Sequence, residues 1–264
     1  MTGLERAHPS TGSGTRRDRI AKAIPGTKGR GSPDRIDLLQ WAARMGAVTA
    51  EALAVRRRSS LAAARARLLA AERDLQLTRR RLLAGEPVLF AITRAGLRDC
   101  GLSGLEPCRI SVTNAPHAIA CVRAAAALEV CFPDHRVTGE RELRRDERLA
   151  GVPLASARLG TTPEGTPLLH RPDLVLWPAG PRGRPVAIEV ELTTKSPRRL
   201  AQICQAWARC RSVDGVIYLA APDVVAPLNR AIAKVSSSAA IVVLPLGAVD
   251  GSLQLDERTV PGNA

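Results

Sequence analysis

The chain has 264 residues and a formal net charge of +14. This length is enough for one large domain or two small ones with buried cores. No apolar run reaches the roughly 18 residues of a membrane-spanning helix, and the N-terminus lacks the apolar core of a secretory signal, so we expect a cytoplasmic protein without membrane association. The positive charge favours DNA as the partner, although anionic lipid attracts such a charge too.

The cysteines and histidines show no recognisable metal-binding spacing. There is no C-x-x-C pair, and no histidine completes a zinc-ligand pattern. His117 and His170 are more typical of hydrogen-bonded structural residues than of metal ligands. Reduced, mostly core positions are predicted for the six cysteines, Cys100, Cys108, Cys121, Cys131, Cys204 and Cys210.

Both ends of the sequence are predicted to lie outside the folded part. Residues 1–33 are rich in Gly, Ser, Thr, Pro and basic side chains without apolar periodicity, which predicts a disordered basic tail. Its arginines either contact nucleic-acid phosphates or only keep the tail solvated, and the composition fits both alternatives. Residues 249–264 are predicted to form a flexible tail.

Residues 34–104 show helical periodicity followed by two strand-like segments. Asp34, Thr49 and Ser60 each precede a helical pattern, as N-cap residues do. The predicted elements are helices over 34–45, 49–55 and 59–73, strands over 75–83 and 88–93, and a closing helix over 93–100.

Three helices followed by a hairpin are typical of a winged helix-turn-helix. In that motif the third helix enters the major groove and the hairpin, or wing, contacts the flanking backbone. Basic residues are concentrated at both places, as phosphate contact requires. The predicted DNA-binding residues here are Arg56, Arg57, Arg58, Arg65, Arg67, Arg79, Arg80 and Arg81. The alternative is a winged-helix module for dimerisation or protein docking, which this charge distribution disfavours.

A linker over 101–115 leads to a predicted mixed α/β domain over 115–248. Its predicted elements are a helix over 116–130, a strand over 136–144, a loop over 149–169, strands over 172–177 and 185–192, a helix over 196–211, a strand over 216–220, a helix over 227–235 and a strand over 240–246. The predicted fold class is therefore α/β, in the α+β sense, with two domains.

The segment 170–200 is the most informative part of this domain. A loop rich in Pro and Gly joins its two strands, which is typical of an antiparallel hairpin. If Trp177 pairs with Pro185, Asp173 lies directly opposite Glu189. Like charges in opposite positions destabilise a sheet, so a divalent metal between the two carboxylates would explain the arrangement.

A third carboxylate and a lysine follow on the second strand. Alternation places Glu191 on the same face as Glu189, and Lys195 continues that face if the strand stays extended. The alternative is that both glutamates form the solvent face of an edge strand, where charges are common. The register of Asp173 favours a site, and its predicted catalytic residues are Asp173, Glu189, Glu191 and Lys195.

Hard carboxylate oxygens suit Mg²⁺ or Mn²⁺. The predicted metal ligands are Asp173, Glu189 and Glu142. Glu140 is the other candidate on the strand that precedes the hairpin. A metal there would lower the pKa of a bound water and neutralise charge on a phosphate, while Lys195 would stabilise the transition state. Arg198 and Arg199, also predicted to bind DNA, either hold flanking phosphates or form a solvated helix start.

The pair Pro172-Asp173 followed by Glu189-Val190-Glu191 resembles the signature of the PD-(D/E)XK nuclease superfamily. The resemblance covers roughly residues 116–246. It implies that Asp173 and Glu189 ligate a catalytic Mg²⁺, and that the position of Glu191 usually holds a lysine that assists the attacking water. Some restriction endonucleases of the superfamily have Glu at this position, and Lys195 offers a substitute.

The whole arrangement is similar to the replication-relaxation family of actinobacterial plasmids and mobile elements. The segments that carry this resemblance are TRAGLRDCGL, GERELRR, HRPDLVLW and VAIEVELTTKSPRRL. It implies a winged helix joined to a PD-(D/E)XK-like domain, and an association with DNA of the nucleoid or a plasmid.

Three functional hypotheses follow. The first is an Mg²⁺-dependent DNA endonuclease or nickase directed by its winged helix. The second is a non-catalytic DNA-binding regulator that keeps a nuclease-like fold for docking or for a homodimer. The third is a two-carboxylate glycosidase, which the 2% aromatic content disfavours because sugars stack on aromatic rings.

Overall fold

The computed structural model describes residues 31–180, 183–235 and 241–246. Within them the chain is a mixed α/β protein with eight helices and sheets of three, five and two strands. The predicted tail over 249–264 lies outside the described residues, and so does the predicted tail over 1–33 up to residue 30. None of the helices in the described ranges combines the length and apolarity that a bilayer crossing needs.

The N-terminal part contains four helices and a small antiparallel sheet. Its elements are α1 (Pro33–Met45), β1 (Ala47–Val48), α2 (Ala50–Arg56), α3 (Leu61–Arg73), β2 (Leu77–Arg80), β3 (Leu89–Ile92) and α4 (Arg94–Asp99). The sheet has the order β1-β3-β2. Strand β1 is absent from the sequence-based prediction because two residues are too short to show alternation.

Hydroxyl side chains begin these helices. Thr49, Ser60 and Thr93 accept hydrogen bonds from backbone N–H groups three residues later, as the sequence predicts for α2 and α3. The predicted cap of α1 is wrong by two residues, since Ser32 rather than Asp34 accepts the N–H of Arg35. Pro33 at the first helical position explains the earlier start.

The C-terminal part is built around a five-stranded sheet. Its elements are α5 (Ala115–Cys131), β4 (Arg136–Gly139), α6 (Glu140–Ala150), β5 (Ala157–Thr161), β6 (Pro167–His170), β7 (Leu174–Trp177), β8 (Val186–Glu191), α7 (Pro197–Ala208), β9 (Gly215–Ala220), α8 (Pro222–Ile232) and β10 (Ile241–Pro245). The order is β10-β9-β8-β7-β4. Strands β4, β7 and β8 pair antiparallel, whereas β8, β9 and β10 are parallel.

The two faces of this sheet have separate cores. Ile188 and Val190 of β8 pack in one core with the small residues of α5. Ala187 packs in the other core with Trp207 of α7 and with Tyr218 of β9. Strand β8 is therefore covered on both sides, and each of its six residues is buried.

Helix α5 belongs to the N-terminal core as well. Val122 and Ala126 pack with α1 to α4, while Ala124, Ala125 and Leu128 pack against the five-stranded sheet. The alanine-rich sequence of α5 allows this, because small side chains permit close approach on two sides.

Three predictions for the C-terminal part need correction: the strand over 136–144 and the helix over 227–235 have wrong bounds, and the loop over 149–169 contains strands. The strand over 136–144 ends at Gly139 and helix α6 follows, with two acidic residues in its first turn that favour a helix start. The loop over 149–169 contains the β5–β6 hairpin. Helix α8 begins at Pro222 and includes Pro227, whose missing N–H leaves the Asp223 carbonyl to accept from Thr194 Oγ1 at 3.5 Å.

Candidate functional site

The β7–β8 hairpin has the predicted register. Leu174 pairs with Ile188 and Leu176 with Val186, which is the register that the sequence predicts. The observed pairing ends at Leu174, one residue after Asp173. The two carboxylates contact different helices, since Asp173 lies beside His117 of α5 and Glu189 beside Trp207 of α7. The alternative of an exposed edge strand is wrong, because β8 lies in the interior of the sheet order. Glu189 is 5% exposed and Glu191 is 6% exposed. Both carboxylates are thus buried in a central strand, where an unpaired charge is costly.

Asp173, immediately before the first residue of β7, connects three elements. Its Oδ2 accepts the N–H of Val190 at 2.8 Å and lies 3.3 Å from Nε2 of His117 on α5. Its backbone carbonyl accepts the N–H of Glu140 at the start of α6, at 2.9 Å. These contacts fix the carboxylate at the point where β8, α5 and α6 meet. The hydrogen bond from His117 to Asp173 raises the pKa of the histidine despite the opposing effect of burial.

Glu189 faces α7. Its Oε1 accepts the indole N–H of Trp207 at 3.1 Å and lies 2.7 Å from Nε2 of His170. Burial raises the pKa of Glu189, and the charge of Asp173 adds to this, while His170 and Lys195 lower it. His170, the last residue of β6, therefore directly contacts a predicted catalytic carboxylate.

Glu191 and Lys195 contact each other directly. The ammonium of Lys195 meets Oε2 of Glu191 across the turn between β8 and α7. The side chain of Lys195 is 36% exposed, whereas that of Glu191 is 8% exposed. The structure thus brings together the two residues that the sequence places on one face.

Glu142 lies among arginines rather than beside the hairpin carboxylates. It belongs to α6, not to a strand, and its carboxylate oxygens lie 3.5 Å from Arg44 Nε, 3.5 Å from Arg136 Nη1 and 3.6 Å from Arg145 Nη2. Burial raises its pKa against the effect of the arginines. Its predicted metal-binding role rested on the strand over 136–144. The other candidate, Glu140, contacts Asp173 through the backbone only, since its N–H donates to the Asp173 carbonyl.

A donor set that the sequence analysis missed surrounds Asp173. Ligand atoms of His117, Cys121 and Asp173 all lie within 4.8 Å of one another. The i and i+4 spacing of His117 and Cys121 on the predicted helix over 116–130 was the available signal, because it places both side chains on one helical face. The six cysteines form no disulfide in the described part of the chain, but the predicted core position holds only for Cys100 and Cys204, since Cys108, Cys121 and Cys210 are half-buried and Cys131 is exposed.

A pocket of about 210 Å³ opens onto this donor set. Asn114, Glu140 and Arg141 line it together with the three donors. The pocket provides room for a small molecule or water beside Asp173.

A larger cavity, which we name the arginine cleft, adjoins this pocket. It has a volume of about 940 Å³ and shares Cys108, Glu140 and Arg141 with the smaller pocket. Its six arginines are Arg94, Arg109, Arg141, Arg144, Arg145 and Arg148, and its acidic residues are Glu106 and Glu140. The cleft was not predicted, because a strand over 136–144 would place Arg141 and Arg144 on opposite faces, whereas helix α6 brings Arg141, Arg144, Arg145 and Arg148 together.

Three of the predicted DNA-binding arginines meet in a second groove. Arg65 of α3, Arg79 of β2 and Arg81 of the following loop line a groove of about 370 Å³ between helix and hairpin. Arg67 and Arg80 are exposed nearby on the same two elements. Arg79 also pairs with Glu72 at 3.3 Å.

The other predicted DNA-binding arginines are placed differently. Arg56 binds Asp37 of α1 and Glu129 of α5, each at 2.5 Å. Arg57 binds Asp37 at 2.5 Å as well. Arg58 is exposed at the turn between α2 and α3. The predicted pair at the start of α7, Arg198 and Arg199, is exposed, and Arg199 donates to Gln202 at 3.0 Å.

Comparison with known protein families, with characterised proteins and with solved structures finds no match for this chain. The geometry of the hairpin, the donor set and the arginine surfaces is therefore the basis for a functional proposal.

Proposed function

We propose that this chain is a DNA-binding protein of a plasmid or mobile element, similar to the replication-relaxation family, that hydrolyses phosphodiester bonds in an Mg²⁺- or Mn²⁺-dependent reaction. In this proposal a winged helix-turn-helix binds DNA, and a PD-(D/E)XK-like domain acts as an endonuclease or nickase. The observation that carries the proposal is the register of the β7–β8 hairpin, whose last pair, Leu174 with Ile188, adjoins Asp173 and Glu189 in the interior of the five-stranded sheet.

The order of elements supports both halves of the proposal. Three helices precede a hairpin in the N-terminal part, and β1 pairs with β3 beside the hairpin. In the C-terminal part α5 and β4 come first, helix α6 and the β5–β6 hairpin are inserted after them, and β7, β8, α7 and β9 follow, with β4, β7 and β8 antiparallel and β9 parallel to β8. Apart from this insertion, the order agrees with the one on which the nuclease resemblance rests.

The burial of Glu189 supports a cation at the hairpin. Glu147, a buried carboxylate elsewhere in the fold, receives the N–H of Leu154 at 3.0 Å and Nε of Arg171 at 2.9 Å. Glu189 instead has the neutral indole of Trp207 and the ring of His170. A divalent cation would add to the stabilisation that His170 and Lys195 give to the buried carboxylate, which has no arginine partner of the kind that Glu147 has.

Asp173 and Glu189 are the residues that would hold Mg²⁺ or Mn²⁺, because their carboxylates offer the hard oxygen ligands that these ions prefer. Asp173 is oriented for this by the N–H of Val190. The bound metal would lower the pKa of a water and neutralise charge on the phosphate. Lys195, held by Glu191, would place a positive charge beside the same strand end.

The arginine cleft supplies the surface for the DNA backbone. Two of its arginines, Arg109 and Arg148, are exposed and form no ion pair within residues 31–180, 183–235 and 241–246. Phosphates are the natural partners of such side chains. Because the cleft shares lining residues with the pocket at Asp173, DNA bound there would lie next to the hairpin.

One observation favours a second function, a non-catalytic DNA-binding regulator. The groups of the hairpin already contact one another: Glu189 contacts Trp207 and His170, and Glu191 contacts Lys195. A nuclease-like fold that has lost catalysis and serves docking or homodimer formation would keep such contacts because they stabilise the fold.

Nicking of supercoiled plasmid with Mg²⁺ or Mn²⁺ tests the proposal. We expect metal-dependent nicking by the wild type and a loss of about 100-fold or more in Asp173→Asn, which keeps the shape of the side chain but removes its charge. Glu164→Gln is the control, since Glu164 is an exposed acidic residue in the β5–β6 turn and should leave nicking unchanged.

DNA retardation without cleavage in either metal, unchanged by Asp173→Asn, would overturn the hydrolytic proposal. It would support the non-catalytic alternative.

A further inference from the structure

The donor set around Asp173 differs chemically from a magnesium site. His117 offers an imidazole nitrogen and Cys121 a sulfur, both from α5, and Asp173 offers a carboxylate from the start of β7. Mg²⁺ prefers oxygen ligands, whereas nitrogen and sulfur ligands favour Zn²⁺ and related cations.

Two of the three donor–donor distances match those of a tetrahedral cation, and the third is below 4.8 Å. With Zn–S of about 2.3 Å and Zn–N of about 2.0–2.1 Å, a tetrahedral site separates sulfur from nitrogen by about 3.6 Å and nitrogen from oxygen by about 3.3 Å. In this chain Sγ of Cys121 lies 3.6 Å from Nδ1 and 3.7 Å from Nε2 of His117. Nε2 of His117 lies 3.3 Å from Oδ2 of Asp173.

The surroundings of the donors also resemble those of a metal site. The N–H of Val190 donates to Asp173 at 2.8 Å, and such outer hydrogen bonds orient the carboxylates that ligate metals. The pocket of about 210 Å³ lies against all three donors, so a fourth ligand can reach them. The competing explanation is purely structural, since Nε2 of His117 also lies 3.2 Å from the Val190 carbonyl, to which it can donate.

We propose that His117, Cys121 and Asp173 form a site for a divalent cation of the zinc class, with its fourth position open to the pocket. Three protein ligands and one open position are the arrangement found where zinc takes part in hydrolysis. The site shares Asp173 with the proposed nuclease, but it binds its cation whether or not the chain cleaves DNA.

Titration of the full-length, metal-stripped protein with Co²⁺ tests this site. Cobalt replaces zinc in such sites, and a thiolate ligand gives a charge-transfer band in the near ultraviolet. We expect this band in the wild type, its removal by Zn²⁺ but not by Mg²⁺, and its loss in Cys121→Ser. Cys131→Ser, on the same helix but outside the donor set, should keep the band.

Binding strength gives a second measure. His117→Gln and Asp173→Asn should each weaken Co²⁺ binding at least about 10-fold while the thiolate band persists at saturating metal. Circular dichroism of each variant shows whether it folds, and the wild-type titration remains informative if a variant does not.

No charge-transfer band in the wild type, or a band that survives in folded Cys121→Ser, would overturn the site. The two proposals fail separately. Nicking that depends on Asp173 without a thiolate band removes only the zinc-class site, whereas a thiolate band without nicking in any metal removes only the nuclease.

Discussion

Two groups of arginines in this protein have opposite surroundings. At the junction of α1, α2 and α5, Arg56 is 14% exposed, binds two carboxylates and lies 5.1 Å from the centre of the Trp41 ring. In the arginine cleft, Arg109 and Arg148 are exposed and form no ion pair with any described residue. Identical side chains thus hold helices together in one region and present charge to solvent in the other.

This difference shows that basic residues in sequence do not by themselves mark a DNA-binding surface. The run Arg56–Arg58 was predicted to contact DNA because it precedes the third helix. Arg56 already forms ion pairs with the carboxylates of Asp37 and Glu129, and Arg57 forms one with Asp37. An arginine is available to a phosphate only where the fold has not already given it a carboxylate partner.

The largest expected effect is at the junction. Arg56→Ala would leave Asp37 and Glu129 without their shared cation and remove the contact with Trp41, so we expect the free energy of unfolding to fall by about 3 kcal/mol. Denaturant unfolding measures this. Arg148→Ala in the cleft is the matched control and should change stability by less than about 0.5 kcal/mol.

Equal losses in the two variants would contradict the contrast between the regions. They would mean that the exposed arginines of the cleft stabilise the fold as strongly as the junction does.

An intermediate effect is expected on DNA binding. The double variant Arg109→Ala/Arg148→Ala should weaken binding to all sequences alike and reduce the slope of log affinity against log salt by about 2, since each arginine paired with a phosphate contributes about 1 to that slope. Fluorescence anisotropy with a labelled duplex at several salt concentrations measures both quantities. Arg230→Ala, an exposed arginine of α8 outside the cleft, is the control.

A slope that stays unchanged in the double variant would show that DNA does not enter the cleft. If Arg65→Ala/Arg79→Ala lowers the slope instead, the groove between α3 and the β2–β3 hairpin is the main contact surface.

The smallest effect is the pH dependence of the junction. Burial by itself would raise the pKa of Asp37, but the hydrogen bond from Arg56 and the charges of Arg56, Arg57 and Arg44 outweigh it and lower the pKa below the ordinary value of 3.8. A carboxyl with a lowered pKa in the folded state stabilises the protein above its unfolded pKa and loses that contribution as pH falls through the folded pKa.

The stability difference between wild type and Asp37→Asn should therefore be constant near neutral pH and shrink below pH 3.8. Because the Asp37 side chain is 44% exposed, we expect the pH-dependent part to be at most about 1 kcal/mol. A stability difference that grows on acidification would show that the arginine partners do not lower the pKa of Asp37. Urea unfolding of both proteins across this pH range gives the comparison.

Local patterns predicted much of the fold. Hydroxyl caps located α2 and α3, and alternation with a Pro- and Gly-rich loop located β7 and β8 and their register. The register was predictable because a shift by one residue would move the apolar residues of β8, such as Ile188, out of their core.

The parts that were missed depend on contacts distant in sequence. Whether the segment 140–144 is helical depends on Leu143 packing against the sheet and on Glu147 receiving Arg171. His117 and Asp173 are far apart in sequence, and α5 brings them together only by packing on β8. The pairing of Arg56 with carboxylates inside the fold likewise depends on Glu129, which is 73 residues away in sequence.

Helix α5 has a consequence for how the protein unfolds. Since Val122 and Ala126 face the N-terminal core while Ala124 and Leu128 face the sheet, neither half can bury its apolar surface without this helix. A chain truncated within the linker over 101–115 would leave the first half without one wall of its core. Heating should accordingly melt both halves in one cooperative transition, with equal calorimetric and van't Hoff enthalpies.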